Sequence, residues 1–345
     1  MSKVTIIIPN YNGKKFLRPC MDALRGQTYT DFDVLIVDNG SAEGSRELIE
    51  ALSCPFPVRG IFLPVNTGFS GAVNAGIREA RGDYVILLNN DTEACPDYVT
   101  ALVRALDEDR SGRVFAVSPK MVQLYHRDLL DDAGDGYNLL GWTFQRGVGQ
   151  PVLTPKFNRA QSVFSACAGA AIYRKNLLEE LALPAASGTE EPGRETEYFD
   201  LQHFAYLEDV DLCFRARVRG YDIRYCPDAV VYHVGSGTSG SKYNAFKVRL
   251  AARNNVYLNY KNMPLLQLLL NLPFILAGVL IKQFFFARIG FGKEYRKGFF
   301  EGISTLKNCR KTGFSPKYLP HYFTIELRLI GDTFSYIGDF LRRHL

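Results

Sequence analysis

The sequence predicts an α/β fold: an open, mostly parallel sheet followed by a helical extension. Three observations carry that expectation. Through the first 120 residues, short apolar runs alternate with amphipathic segments, which implies parallel strands with helices on both faces. The apolar run Tyr84–Leu88 ends in the polar cluster Asn89-Asn90-Asp91, and the strand ends of an open α/β sheet are where such folds bind ligands. From about residue 242 the pattern turns helical and stays so to the end.

Taken in order, Val4–Pro9 reads as a strand and Lys14–Arg25 as a helix. Val34–Val37 is the second strand, Glu43–Leu52 a helix and Ile61–Val65 the third strand. Gly71–Ala80 is a helix, Tyr84–Leu88 a strand, and Pro96–Leu106 a helix with Pro in its first turn. Residues 123–162 lose periodicity and gain Gly, Asp and Tyr, the composition of loops over the sheet edge. Ala168–Arg174 restores a strand. Pro184–Asp200 reads as a mobile surface flap, Phe204–Arg219 as a helix with Glu208-Asp209-Val210-Asp211 near its start, and Ile223–Val234 as a strand. The expected organisation is one α/β domain over 1–241, the catalytic domain if the chain is an enzyme, and a basic, apolar helical region over 242–345.

The chain has 345 residues, 47% of them apolar, enough to bury a substantial core. Its seven Cys are scattered without a C-x-x-C pair, as for reduced thiols in a cytosolic protein. Met1-Ser-Lys runs straight into the first strand, so no signal peptide is expected. The net charge of +5 conceals a division: residues 242–345 hold 17 Lys and Arg against 5 Asp and Glu, net +12, and the remainder is net −7. Basic and apolar together point to an anionic membrane surface and away from nucleic acid, with a solvated basic helical tail as the plainer alternative.

Asp91 is a hard carboxylate at a strand tip, which suits Mg²⁺ or Mn²⁺ carrying a diphosphate. Seven stretches taken together resemble the family 2 glycosyltransferases, which have the GT-A fold, a Rossmann-like mostly parallel sheet that binds nucleotide-diphospho-sugars. They are Ile8-Pro9-Asn10-Tyr11-Asn12, Val37-Asp38-Asn39-Gly40-Ser41, Asn66 to Gly76, Asn89-Asn90-Asp91, Gly169-Ala-Ala, Glu208-Asp209-Val210-Asp211 and His233, all between residue 4 and about 255. Within the family the chain looks most like bacterial rhamnosyltransferases and galactofuranosyltransferases of surface polysaccharide synthesis, and Arg253-Asn254 adds to that likeness. It departs in one respect. The family's D-x-D stands here as Asn89-Asn90-Asp91, with a single carboxylate. The Q-x-x-R-W motif of processive synthases is absent, the chain's one Trp being Trp142.

The resemblance implies roles residue by residue. Asp38 would accept from the N3–H of a uracil or thymine, with Pro9 and Tyr11 lining the base pocket. Asn66 and Gly68 would let backbone approach the donor closely, and Asn90 and Asp91 would complete the nucleotide-sugar site. Asp91 would hold the cation, and His233, 24 residues after Asp209, would be a second metal ligand. Asp209 would be the general base of an inverting transfer, a single displacement that needs one carboxylate near the acceptor hydroxyl. Glu208, Asp211 and Arg253 would support it or the acceptor. Each has a structural alternative: Asp38 as a turn cap, Asn66 and Gly68 as turn formers, His233 as a structural histidine, and the acids as partners of a helix N-terminus.

Leu265–Ile281 is charge-free for 17 residues, short of the roughly 20 that a spanning helix wants. A helix pair broken at Pro273, lying on or dipping into a bilayer, fits better than a span, a buried core helix or a homodimer helix. The expected protein is therefore a glycosyltransferase peripheral on the cytoplasmic face of a bacterial inner membrane. Its donor would be a pyrimidine-diphosphate sugar, dTDP-L-rhamnose or a UDP-sugar, and its acceptor an oligosaccharide or a polyprenyl-diphosphate-linked glycan. A dehydrogenase would show G-x-G-x-x-G where Pro9-Asn-Tyr-Asn-Gly13 stands, and a nucleotidyltransferase a Gly-rich basic loop there. An inactive scaffold or sugar-binding module is the remaining alternative.

Overall fold

The computed structural model describes residues 2–183, 196–235 and 243–344. The expected flap falls outside these as far as residue 195, as do the expected domain boundary at 241/242 and the residues after Gly235. The described end of the flap is not surface: Glu197, Tyr198, Phe199 and Asp200 are buried.

In chain order the elements are β1 (Val4–Asn10), α1 (Lys14–Arg25), β2 (Phe32–Asp38), α2 (Ser45–Glu50), β3 (Val58–Phe62), α3 (Gly68–Glu79), β4 (Tyr84–Leu87), β5 (Thr92–Ala94) and α4 (Tyr98–Asp107). There follow β6 (Val114–Gln123), β7 (Leu130–Asp132), β8 (Asp135–Tyr137), β9 (Thr143–Gln145), β10 (Gln161–Ser162), β11 (Ile172–Arg174), α5 (Lys175–Glu180), α6 (Glu208–Val218) and β12 (Asp222–His233). The C-terminal region is α7 (Ala245–Asn262), α8 (Leu265–Arg288), α9 (Gly292–Ser304) and α10 (Leu319–His344).

The main sheet runs β10-β12-β6-β11-β4-β1-β2-β3, with β5 on β12 and β7 on β6. β4, β1, β2 and β3 are parallel, as are β6 and β12, while β11 is antiparallel to both its neighbours. Parallel pairing brings the C-terminal ends of β1, β2, β3 and β4 to one edge, with Asn10 opposite Asp38 and Asp38 opposite Phe62. That edge gathers several of the site residues expected from the sequence. Alternate side chains of β1 enter two cores: Ile7 joins Leu35, Val37 and Val73 on one face, and Ile6 and Ile8 join Leu17, Met21 and Leu102 on the other. A strand buried on both faces reads as a continuous apolar run, and Val4-Thr-Ile-Ile-Ile is one.

Several expectations are corrected. The third strand lies at Val58–Phe62, three residues before its expected start, because its own side chains are only half-buried and give a weak pattern. β6, ten residues long and central, falls where no strand was expected. The stretch 123–162 expected as loops also carries β7 to β10, strands of two or three residues that are too short to show a period. Pro273 does not divide a helix pair: α8 is continuous through it. The seven cysteines are all free.

Candidate active site

At this edge of the sheet a chain of buried side chains fixes three loops. Asn10 donates from Nδ2 to Asp38 Oδ1 at 2.8 Å and to Ser45 Oγ at 2.9 Å, and its Oδ1 accepts from Asn90 Nδ2 at 2.7 Å. Asp38 Oδ2 accepts from the Ser41 backbone N–H at 3.2 Å. Each Asp38 oxygen therefore has one bond and room for another. Asn39 builds the third loop by accepting from Thr67 N at 2.9 Å and donating to Asn66 Oδ1 at 3.0 Å and Gly68 O at 2.9 Å. Gly68 has φ +76, and a Cβ there would meet Phe204 O at 2.4 Å, so both backbone and space require glycine. Pro9 is half-buried and Tyr11 exposed at the rim. The amide of Asn90 is turned toward Asn10 and so joins the network that fixes these loops.

β5 and β12 pair antiparallel with His233 opposite Thr92, which carries the histidine to the residue before β5. His233 Nε2 lies 3.3 Å from Asp91 Oδ1, and its Nδ1 lies 2.7 Å from Asp131 Oδ2 on β7. Burial alone would lower the His233 pKa, but hydrogen bonds to Asp131 and Asp91 and their charges outweigh it and raise it to about 10. The pair fits a small divalent cation. Two ligands in neighbouring octahedral positions at about 2.1 Å stand roughly 3 Å apart, and a carboxylate behind a histidine ligand is the usual way to fix its ring.

Asp200, His203 and Asp211 also lie close enough together to ligate one ion. Their charge is already met. Lys261 Nζ stands 2.5 Å from Asp200 Oδ2 and 2.9 Å from Asp211 Oδ1, Arg215 lies 3.3 Å from Asp211, and Arg310 lies 3.5 Å from Asp200. Buried ion pairs of this kind hold elements together, and a divalent cation would find no charge deficit there.

α6 opens on the acidic motif. Asp209 is half-buried; its Oδ2 accepts from Ala168 N at 3.1 Å and its Oδ1 from Val210 N at 2.8 Å. Burial raises its pKa, against the pull of those N–H donors. Glu208 is buried with Oε2 unpartnered among the described residues, and burial followed by the Asp209 charge pushes its pKa well up. Asp211 does not join them: Lys261, Arg215 and Asn262 take its oxygens, and their charge holds its pKa well below the usual carboxylate range against the effect of burial. Arg253 reaches the backbone of Gln202 and His203 and the carboxylate of Glu301.

Immediately before Glu208, three non-glycine residues have positive φ: Phe204 at 62°, Tyr206 at 71° and Leu207 at 68°. Each such residue costs of order 1–3 kcal/mol. Asn254 offsets this by donating to the carbonyls of His203, Ala205 and Tyr206, each at 2.8 Å. α7 thus sets the loop that aims Asp209.

Asp131, Asp132 and Asp135 carry no role in the sequence reading. Asp132 is fully buried with neither oxygen partnered among the described residues, and burial raises both its pKa and that of Asp135. The doublet Asp131-Asp132 after Leu129-Leu130 was the available signal, hidden inside a stretch read as loop.

The profile of glycosyl transferase family 2 matches residues 5–182, just over half of the chain. It ends before α6, so Asp209 and His233 stand on geometry alone. An uncharacterized glycosyltransferase of Nostoc, alr2836, is 32% identical over 131 residues, 37% of this chain and 38% of that protein. The glycosyltransferase GlyA of Streptococcus pneumoniae is 33% identical over 107 residues, 31% of this chain and 15% of that protein. The chain therefore spans about two-fifths or less of the length of these curated relatives. Among solved structures, GalNAc-T7 with UDP, GalNAc and Mn²⁺ superposes with a TM-score of 0.55 at 16% identity over 76% of this chain and 48% of the other. The mannosyltransferase PcManGT of Pyrobaculum calidifontis with GDP-Man and Mn²⁺ does so with 0.51 at 16% over 98% and 88%. These likenesses concern the fold.

Proposed function

The chain belongs to glycosyl transferase family 2 with the GT-A fold, and from that premise we propose that it transfers a sugar with inversion from a pyrimidine-diphosphate donor. The donor class favoured is dTDP-L-rhamnose or a UDP-sugar, and the acceptor a hydroxyl of an oligosaccharide or of a polyprenyl-diphosphate-linked glycan in cell-surface polysaccharide synthesis. The observation that carries the reading is the Asp91–His233–Asp131 arrangement at the end of the sheet that also holds Asp38.

Asp38, with its spare acceptor capacity, would take the base N3–H beside Pro9 and Tyr11. The loops of Asn66, Gly68 and Asn90 would hold ribose and phosphates against backbone. Asp91 and His233 would hold Mg²⁺ or Mn²⁺, which when bound neutralises charge on the leaving diphosphate. Asp209 would take the proton of the acceptor hydroxyl as its oxygen bonds to the anomeric carbon and the carbon–phosphate oxygen bond breaks. Its raised pKa strengthens it as a base. Glu208 stands next to it, and Asp211 and Arg253 support the loop and helix that present it.

The test is a nucleotide-release screen of dTDP-, UDP- and GDP-sugars with purified protein, with and without Mn²⁺ and EDTA, followed by NMR of the product's anomeric proton. A dTDP- or UDP-sugar should turn over, EDTA should suppress it, and the anomeric configuration should invert. Retained configuration would sink the mechanism, and sugar binding without release of any nucleotide would leave a binding module.

A further inference from the structure

α8 is built inside out, and α10 is apolar on its outer face as well as its inner one. A helix on the surface of a soluble protein turns its apolar stripe inward and its polar face to water; neither of these does. On α8 the inward positions include Gln267, Asn271, Lys282 and Gln283, while Leu266, Leu270, Phe274, Leu280 and Phe284 are exposed. On α10 Tyr322, Ile325 and Leu329 enter the core, beside the partly buried Glu326, Arg328 and Asp332 and the buried Asp339, while Phe323, Leu327, Ile330, Phe334 and Leu341 are exposed.

The two helices meet at Glu326 and are held to the body along their lengths. Glu326 accepts from Gln267 at 2.8 Å and from Asn271 at 2.9 Å. Gly278 packs so closely that a Cβ would meet Leu140 O at 2.3 Å, and Lys282 sits 5.0 Å over the Trp142 ring. On α10, Asp339 pairs with Lys156 at 2.5 Å, and Asp332 accepts from Tyr137 N at 3.1 Å. α8 is long and apolar enough to cross a membrane, yet a span would strip these contacts. Its outer face is what remains available.

We propose that the outer face of α8 and α10 is a docking surface for an anionic lipid bilayer, on which both helices lie in the plane of the membrane. The charge around the face chooses this occupant over a second copy. Between Arg288 and Lys317 seven Lys and Arg side chains are exposed. No Asp or Glu of the C-terminal region is exposed among the described residues, and all five have partners: Glu294 with Lys297, Glu301 with Arg249, Glu326 with Gln267, Asp332 with Arg328, and Asp339 with Lys156. A symmetric dimer through this face would set like charges against each other, whereas anionic headgroups complement them and acyl chains take the Leu and Phe side chains. The inference goes beyond the donor chemistry and stands whether or not that reading holds.

The test is sedimentation of the full-length protein with vesicles of phosphatidylcholine alone or with added phosphatidylglycerol, alongside light scattering for mass. The wild type should bind the anionic vesicles, weaken without letting go at about 1 M salt, where the screening length is roughly 3 Å, and bind neutral vesicles less. Phe284→Glu/Phe334→Glu, two exposed positions, should lower partitioning at least about tenfold while the thermal unfolding midpoint and nucleotide binding stay as they were. Unchanged partitioning of that variant, complete release by salt, or a wild-type dimer that the same substitutions dissociate would overturn the proposal.

Discussion

Asp209 is the residue on which turnover should depend. Asp209→Asn keeps the shape and one of the two backbone hydrogen bonds, its NH2 being unable to accept the other, and it takes no proton, so turnover should fall about 10²–10⁴-fold with nucleotide affinity little changed, as calorimetry would show. Because burial raises the Asp209 pKa, the wild-type rate should fall as pH drops through a value above the ordinary 3.8, and the substitution should remove that limb from the kcat/KM profile. Asp131→Asn should act differently. It leaves both proposed ligands in place but weakens the hold on the His233 ring, so Mn²⁺ affinity should fall about 10–100-fold while Mn²⁺-saturated turnover largely recovers. Asp91, His233 and Asp209 were legible because each closes or opens a strong apolar pattern. Asp131 was not, since β7 has three residues and shows no period.

At the scale of elements, α6 and α7 are joined by Lys261 between Asp200 and Asp211. Lys261→Met should cost about 3 kcal/mol in denaturant unfolding at neutral pH, because it leaves buried carboxylates short of a partner. The pH dependence gives the sign. With their pKa values lowered, Asp200 and Asp211 contribute stability that is present above the ordinary carboxylate value and lost as pH falls through their folded values. The loss on substitution should therefore shrink in acid. This link was not readable from the chain, where Asp211 is one of three acids in a helix start and Lys261 one of many cations. β6 was likewise missed, because Ser118-Pro119-Lys120 interrupts its apolar run and a Pro within a run argues against a central strand. α1 was read to the residue, its apolar positions Leu17, Cys20, Met21 and Leu24 keeping helical spacing.

For the whole molecule, the change in composition near residue 242 marks a change of surface and not an end of packing. Leu258 and Met263 share one core with Phe164, Val210 and Phe214, and Asn254 and Lys261 complete the loop and helix that carry Asp209. A fragment ending at 241 should therefore lack cooperative unfolding and near-UV dichroism. The division of charge was legible from counting alone. The inversion of α8 was not, because a helix pattern says which residues share a face and not which way that face points.

The loop before Glu208 has a bearing on how the protein is born. Its unfavourable backbone is held by Asn254, and the acids beside it by Lys261, both of which leave the ribosome some fifty residues after the loop does. At about 5–20 residues per second, several seconds pass in which the nascent parallel strands β1 to β4 can pair without the clamp. Throughout that interval Phe204, Tyr206 and Leu207 are free to relax to ordinary conformations, and Asp209 has no fixed aim. Assembled in this order, the chain would complete the proposed nucleotide site first, and the proposed base would be aimed only once the helix that latches the loop has been made.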